Sequence, residues 1–86
     1  MNPTHNLDYY LSIPYRIEIV PIPPKMGGGY EAFIPRLGRS TVTGCGETPE
    51  EALHSLNEVK ETVFSIWLEQ GFPIPLPEIE PVSVSL

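Results

Sequence analysis

Gly46-Glu47-Thr48-Pro49-Glu50-Glu51-Ala52-Leu53 decides how this chain is organised, because it sets the start of the one strong helix. Thr48 is an N-cap residue whose hydroxyl can accept a backbone N–H of the first turn. Glu51, three residues on, is placed to reach back to the Thr48 N–H and close a capping box. Pro49 takes the first helical position, where its missing donor costs nothing and its φ is already helical. Glu50 and Glu51 put negative charge at the positive end of the helix dipole. The spacing predicts a helix from Pro49 to about Gln70, stopped by Gly71 as a left-handed C-terminal residue.

Along that helix Ala52, Leu56, Val59, Val63, Ile66 and Trp67 recur at helical spacing, and this stripe is expected to cover a sheet. Leu53, Phe64 and Leu68 form a second apolar ridge beside it, with Lys60 among them. The ridge reads equally well as a wide helix-on-sheet contact and as a self-association or partner surface.

The helix follows a run of strands. In Tyr15-Arg16-Ile17-Glu18-Ile19-Val20-Pro21, Tyr15, Ile17 and Ile19 alternate with Arg16 and Glu18, a period-two strand with one buried face. Pro21, Pro23 and Pro24 end it, and Lys25-Met26-Gly27-Gly28-Gly29 makes a turn. Tyr30-Glu31-Ala32-Phe33-Ile34 resumes a strand that Pro35 ends, giving a hairpin. Arg36-Leu37-Gly38-Arg39 is a loop, and Ser40-Thr41-Val42-Thr43-Gly44 is the expected third strand. Beyond the helix, alternate prolines make residues 72–86 an extended tail. Within it, Pro81-Val82-Ser83-Val84-Ser85-Leu86 alternates again and offers a last strand, within the chain or to a neighbour.

The expected fold is α+β, a three- to four-stranded antiparallel sheet packed on one long helix in the order β-β-β-α-β. The 86 residues make a single domain over 1–86, with residues 1–8 expected to be disordered. A domain this small gains from self-association, so a homo-oligomer is expected. A net charge of −6 opposes general binding to nucleic acid and favours a basic partner. One cysteine makes no internal disulfide, and no Cys/His cluster has metal-ligand spacing, which points to a reducing cytoplasm. The first residues carry no signal-peptide pattern, and no apolar run approaches the ~20 residues that span a bilayer.

Chemistry is sparse. Cys45 precedes a helix N-terminus, which can activate a thiol, but no base is placed with it. His54 lies on the polar side of the helix between Glu50 and Glu58, at i±4 from each. Gly44-Cys45-Gly46 is a poor phosphate cradle, because Glu47, Glu50 and Glu51 follow and no P-loop lysine does; the glycines read as turn residues. No catalytic, cofactor-binding or metal-binding residue is assigned, and no cofactor is expected.

Gly29-Tyr30-Glu31-Ala32-Phe33-Ile34-Pro35, the helix start quoted above, and the exit Leu68-Glu69-Gln70-Gly71-Phe72-Pro73-Ile74-Pro75 together resemble the HicB family of type II antitoxins, over about Tyr9 to Glu78. That resemblance implies a degenerate ribonuclease H-like domain without the metal-binding acids of that enzyme. It also implies a partner, a small basic HicA-type toxin that cleaves mRNA and is blocked on binding. The chain departs from the pattern in two places. Many relatives carry Leu-Pro-Gly-Cys where this chain has Leu37-Gly38-Arg39, and many continue into a DNA-binding segment where this sequence ends at Leu86. The expected function is therefore a non-catalytic, protein-binding, antitoxin-like module, dimeric or tetrameric, that binds no DNA directly. The alternatives are an orphan oligomeric HicB-like scaffold and a small-ligand protein or enzyme built on Cys45 with Arg36 and Arg39.

Overall fold

The computed structural model of the chain describes residues 6–77. It is an α+β arrangement: a three-stranded antiparallel sheet of β1 (Glu18–Pro21), β2 (Tyr30–Phe33) and β3 (Thr43–Gly46), in that spatial order, against the long helix α2 (Pro49–Gln70). A short helix, α1 (Leu7–Leu11), packs on α2. Its cap explains why residues 6–8 belong to the fold and not to a disordered end. The Asn6 side chain accepts the Tyr9 N–H at 3.0 Å, which satisfies one of the first-turn donors. The last strand expected at 81–86 lies outside the described residues.

Helix α2 runs over the expected span. Thr48 is its N-cap, with Oγ1 accepting the Glu51 N–H at 3.1 Å, and Gly71 closes it at φ +77. The reciprocal half of the cap differs from expectation: Glu51 Oε1 accepts the N–H of Glu47, one residue further back than Thr48, at 2.9 Å. The cap therefore also pins the residue that joins β3 to the helix.

The strands are shorter than the sequence suggested. Tyr15 is buried but precedes β1, held by its hydroxyl donating to the Pro75 carbonyl at 2.5 Å. Ser40 and Thr41 form a turn closed by Thr41 N–H to Gly38 O at 3.1 Å, so β3 begins only at Thr43. Cross-strand partners share a face, so Ile19, Ala32 and Gly44 look toward α2, while Glu31, Phe33, Thr43 and Cys45 look away from it. Ala32 is fully buried, but Ile19 remains 40% exposed, because α2 lies over β3 and β2 and hardly reaches β1.

Gly44 and Gly46 are packing residues of β3 rather than the turn glycines expected. A Cβ on Gly44 would sit 2.2 Å from the Leu56 nitrogen, and one on Gly46 2.6 Å from the Ala52 nitrogen. Their bare backbones let the helix backbone lie directly on the strand. The tail returns across the base of the sheet, where Ile74 is buried and the Leu76 carbonyl accepts from Arg36 Nε at 2.6 Å.

Candidate functional site

The side of α2 that meets the core is the row Ala52, Leu56, Lys60 and Phe64, spaced by four residues. Val59, Val63 and Trp67, expected in its centre, are half-buried at its margins, and Ile66 is 44% exposed. Phe64 is fully buried, within ring contact of Tyr10, Tyr15 and Trp67 at centroid distances of 6.3, 6.0 and 5.9 Å. Leu53 and Leu68 pack half-buried against the same core. Of the ridge Leu53, Lys60, Phe64 and Leu68, Lys60 and Phe64 are thus turned into the core of the chain, while Leu53 and Leu68 remain partly exposed. The apolar side chains it leaves outside near the end of α2 are Ile66 and Phe72.

Lys60 is 9% exposed, and burial pulls its ammonium pKa down. It makes no ion pair among the described residues, where no wholly buried side-chain nitrogen or oxygen lacks a partner. Its stem therefore lies along the core while the charged end reaches water. The sequence signal was present: Lys60 stands midway between Leu56 and Phe64 in the buried row.

With Lys60 turned in, the outward side of α2 carries Glu50, Glu51, Glu58, Glu61 and Glu69, all exposed, and no exposed Lys or Arg. His54 lies 3.3 Å from Glu58 on that side. The cations sit elsewhere, and two of them make ion pairs. Arg16 pairs with Glu18 at 3.1 Å, and Arg39 pairs with Glu31 at 2.8 Å while its guanidinium lies 4.6 Å over the Phe33 ring. The Arg39 hydrogen bond holds the Glu31 carboxyl below the usual carboxylate range; burial opposes this, and the Thr43 hydroxyl at 3.1 Å adds to it. Arg36 is spent on the tail carbonyl. Arg39 is thus held on the side of the sheet away from α2, by the strand residue that pairs with Cys45, while Arg36 is held by the tail.

Cys45 is exposed on that side of the sheet. It borders a shallow depression of about 470 Å³ lined also by Gly27, Gly28, Gly29, Gly46, Glu47 and Glu51. The titratable side chains that line it with Cys45 are the carboxylates of Glu47 and Glu51. Among the described residues no group of three or more His, Cys, Asp and Glu side chains could hold a metal ion, and no helix is long and apolar enough to cross a membrane. Comparison with protein-family models, with curated proteins and with solved structures finds no match.

Proposed function

We propose that this chain is a HicB-like antitoxin, a non-catalytic module that binds and neutralises a small basic HicA-type mRNA-cleaving toxin in the cytoplasm. The observation that carries this reading is the outward side of α2, with five exposed glutamates and no exposed Lys or Arg. A surface of one sign draws an oppositely charged protein to it and repels phosphate, which also argues against direct DNA binding by this chain. The antiparallel β1-β2-β3-α2 order agrees with the order read from the sequence, in which the motifs that carry the resemblance lie on β2 and at the two ends of α2. The ribonuclease H-like arrangement, with a further strand, and assembly as a dimer or tetramer belong to the same proposal.

Co-expression with a HicA-type toxin tests it. The wild-type chain should restore growth and stop mRNA cleavage, and the purified pair should associate at a rate that falls as salt rises. Reversing Glu58 and Glu61 to lysine should slow association without changing the fold, since both side chains are exposed. Unabated cleavage in the presence of the folded wild-type chain would refute the antitoxin reading and leave the orphan scaffold.

A further inference from the structure

The sheet has two free edges among the described residues, and they are not equivalent. The Ile22 N–H bonds the Gly29 carbonyl at 2.8 Å, and in an antiparallel ladder bonded and non-bonded pairs alternate. Pairs 20/31 and 18/33 are therefore the bonded ones between β1 and β2, which leaves residues 30 and 32 of β2 to bond 46 and 44 of β3. Close approach of the Gly46 carbonyl to Gly29, beside Tyr30, agrees with that assignment. The main-chain N–H and C=O groups of Ile19 and the C=O of Pro21 thus face outward from β1, and the N–H and C=O groups of Thr43 and Cys45 face outward from β3.

On the β1 edge Pro21 has no N–H to offer, and Pro23 and Pro24 follow, which is how sheets discourage strand addition. The β3 edge has no proline between Val42 and Thr48 and no lysine or arginine in the strand. It presents two complete donor–acceptor pairs. At its far end lies the depression lined by Gly27–Gly29, Cys45, Gly46, Glu47 and Glu51, where backbone and carboxylates are accessible. Glu50 joins Glu51 in the first turn of α2, which adds negative charge at the positive end of the helix.

We propose that the free edge of β3 is a docking site for an extended segment of a basic protein, added as a strand through the main-chain groups of Thr43 and Cys45. A lysine or arginine of that segment sits in the depression beside Glu47 and Glu51. Main-chain bonds hold the segment in place and the carboxylates select its charge, the usual division in strand addition. The assignment rests on the partner-binding reading above and names the surface that performs it.

The test uses the isotopically labelled full chain and, as probe, an end-blocked nonapeptide alternating valine and lysine. A peptide with glutamate for every lysine is the control. Amide exchange at Thr43 and Cys45 should slow with the lysine peptide and not with the glutamate peptide. Cys45→Pro removes one outward donor without touching a bond inside the sheet, and should weaken lysine-peptide binding about fivefold to tenfold, the worth of one hydrogen bond. Ile19→Pro, the same change on the β1 edge, should leave binding unaltered. Should Cys45→Pro fail to fold, Glu47→Lys keeps the edge and should reverse the preference between the two peptides. Three results would overturn the proposal: no slowing at Thr43 and Cys45, slowing at Ile19 instead, or amides already slow in the free protein because residues 78–86 or a second copy occupy the edge. A basic partner that binds the wild type and Cys45→Pro equally removes the edge assignment alone; one that binds neither removes the partner reading with it.

Discussion

Gly44→Ala should be among the most damaging single-methyl changes available to this protein. The added Cβ would lie 2.2 Å from the Leu56 nitrogen, 2.6 Å from the Ser55 carbonyl carbon and 2.7 Å from the Leu56 Cα. All three are backbone atoms of α2, so no side chain can swing aside. Restoring ordinary contact, which begins at 3.4 Å, requires the helix to retreat by about 3.4 − 2.2 = 1.2 Å from β3. That shift opens gaps beneath Ala52 and Leu56, both fully buried. Overpacking of this kind costs about 1–3 kcal/mol and sometimes more, and we place this case at the upper end, about 3 kcal/mol. The lower chain entropy of alanine in the unfolded state returns about 0.4–1 kcal/mol. The net loss of about 2–2.6 kcal/mol corresponds to a fall in Tm of roughly 8–21 °C for a domain of this size. Thermal melts followed by circular dichroism measure it, with Gly27→Ala as comparison. That site has φ +118 and nothing within 4 Å, so it tests backbone strain without a clash. A Gly44→Ala protein melting within about 2 °C of the wild type, less than 0.5 kcal/mol, would refute the backbone-on-backbone contact.

Three further outcomes are expected. Thr48→Ala removes the acceptor for the Glu51 N–H and should cost about 1 kcal/mol in urea unfolding. Phe64→Ala should cost about 3–5 kcal/mol and leave little or no folded protein, whereas Trp67→Ala, at a half-buried position stacked on Phe64, should cost less. Because the folded Glu31 pKa lies below its unfolded value of about 4.3, its stabilising contribution is complete above that pH and is lost as pH falls through the folded value. The stability gap between the wild type and Glu31→Gln should therefore be widest near neutrality and close under acid, as urea melts across that range will show.

What the sequence made legible is what local chemistry determines. Both ends of α2 could be read because Thr48, Pro49 and Gly71 act within one turn of the helix. Propensity alone sets the third strand too early, at residues 40–44 instead of 43–46, because Thr41 and Val42 are β-branched and glycine is a poor strand former. Only the helix pressing on Gly44 explains a strand there, and that contact joins residues a dozen apart. The apolar stripe was centred off its true axis for a similar reason. By type Lys60 is a polar residue among apolar ones, yet its stem occupies the middle of the buried row. The acidic side of α2 was legible in Glu50, Glu58, Glu61 and Glu69. The free edge of β3 was not, since edges follow from strand pairing, which no local pattern encodes.

The inward turn of Lys60 also bears on function. The net charge is −6, but it is not spread evenly. Glu18 and Glu31 are matched by Arg16 and Arg39 on the sheet and its loops. Among the described residues the one ion pair on α2 joins Glu58 to His54, which is charged only when protonated. Removing Lys60 from the outward side therefore takes the helix's sole Lys or Arg away from its five exposed glutamates and leaves the excess charge on one flank. A one-sided field orients an approaching charged protein as well as attracting it. Of the two sheet edges, the one that α2 packs over is β3, so the strand with unspent main-chain donors and acceptors is the one packed beneath the helix that carries the excess negative charge. An uncharged substitute for Lys60 with the same stem, such as Lys60→Met, should leave that outward field nearly unchanged. Lys60→Glu should instead unfold the chain, because a carboxylate on a shorter stem has no path from the core to water.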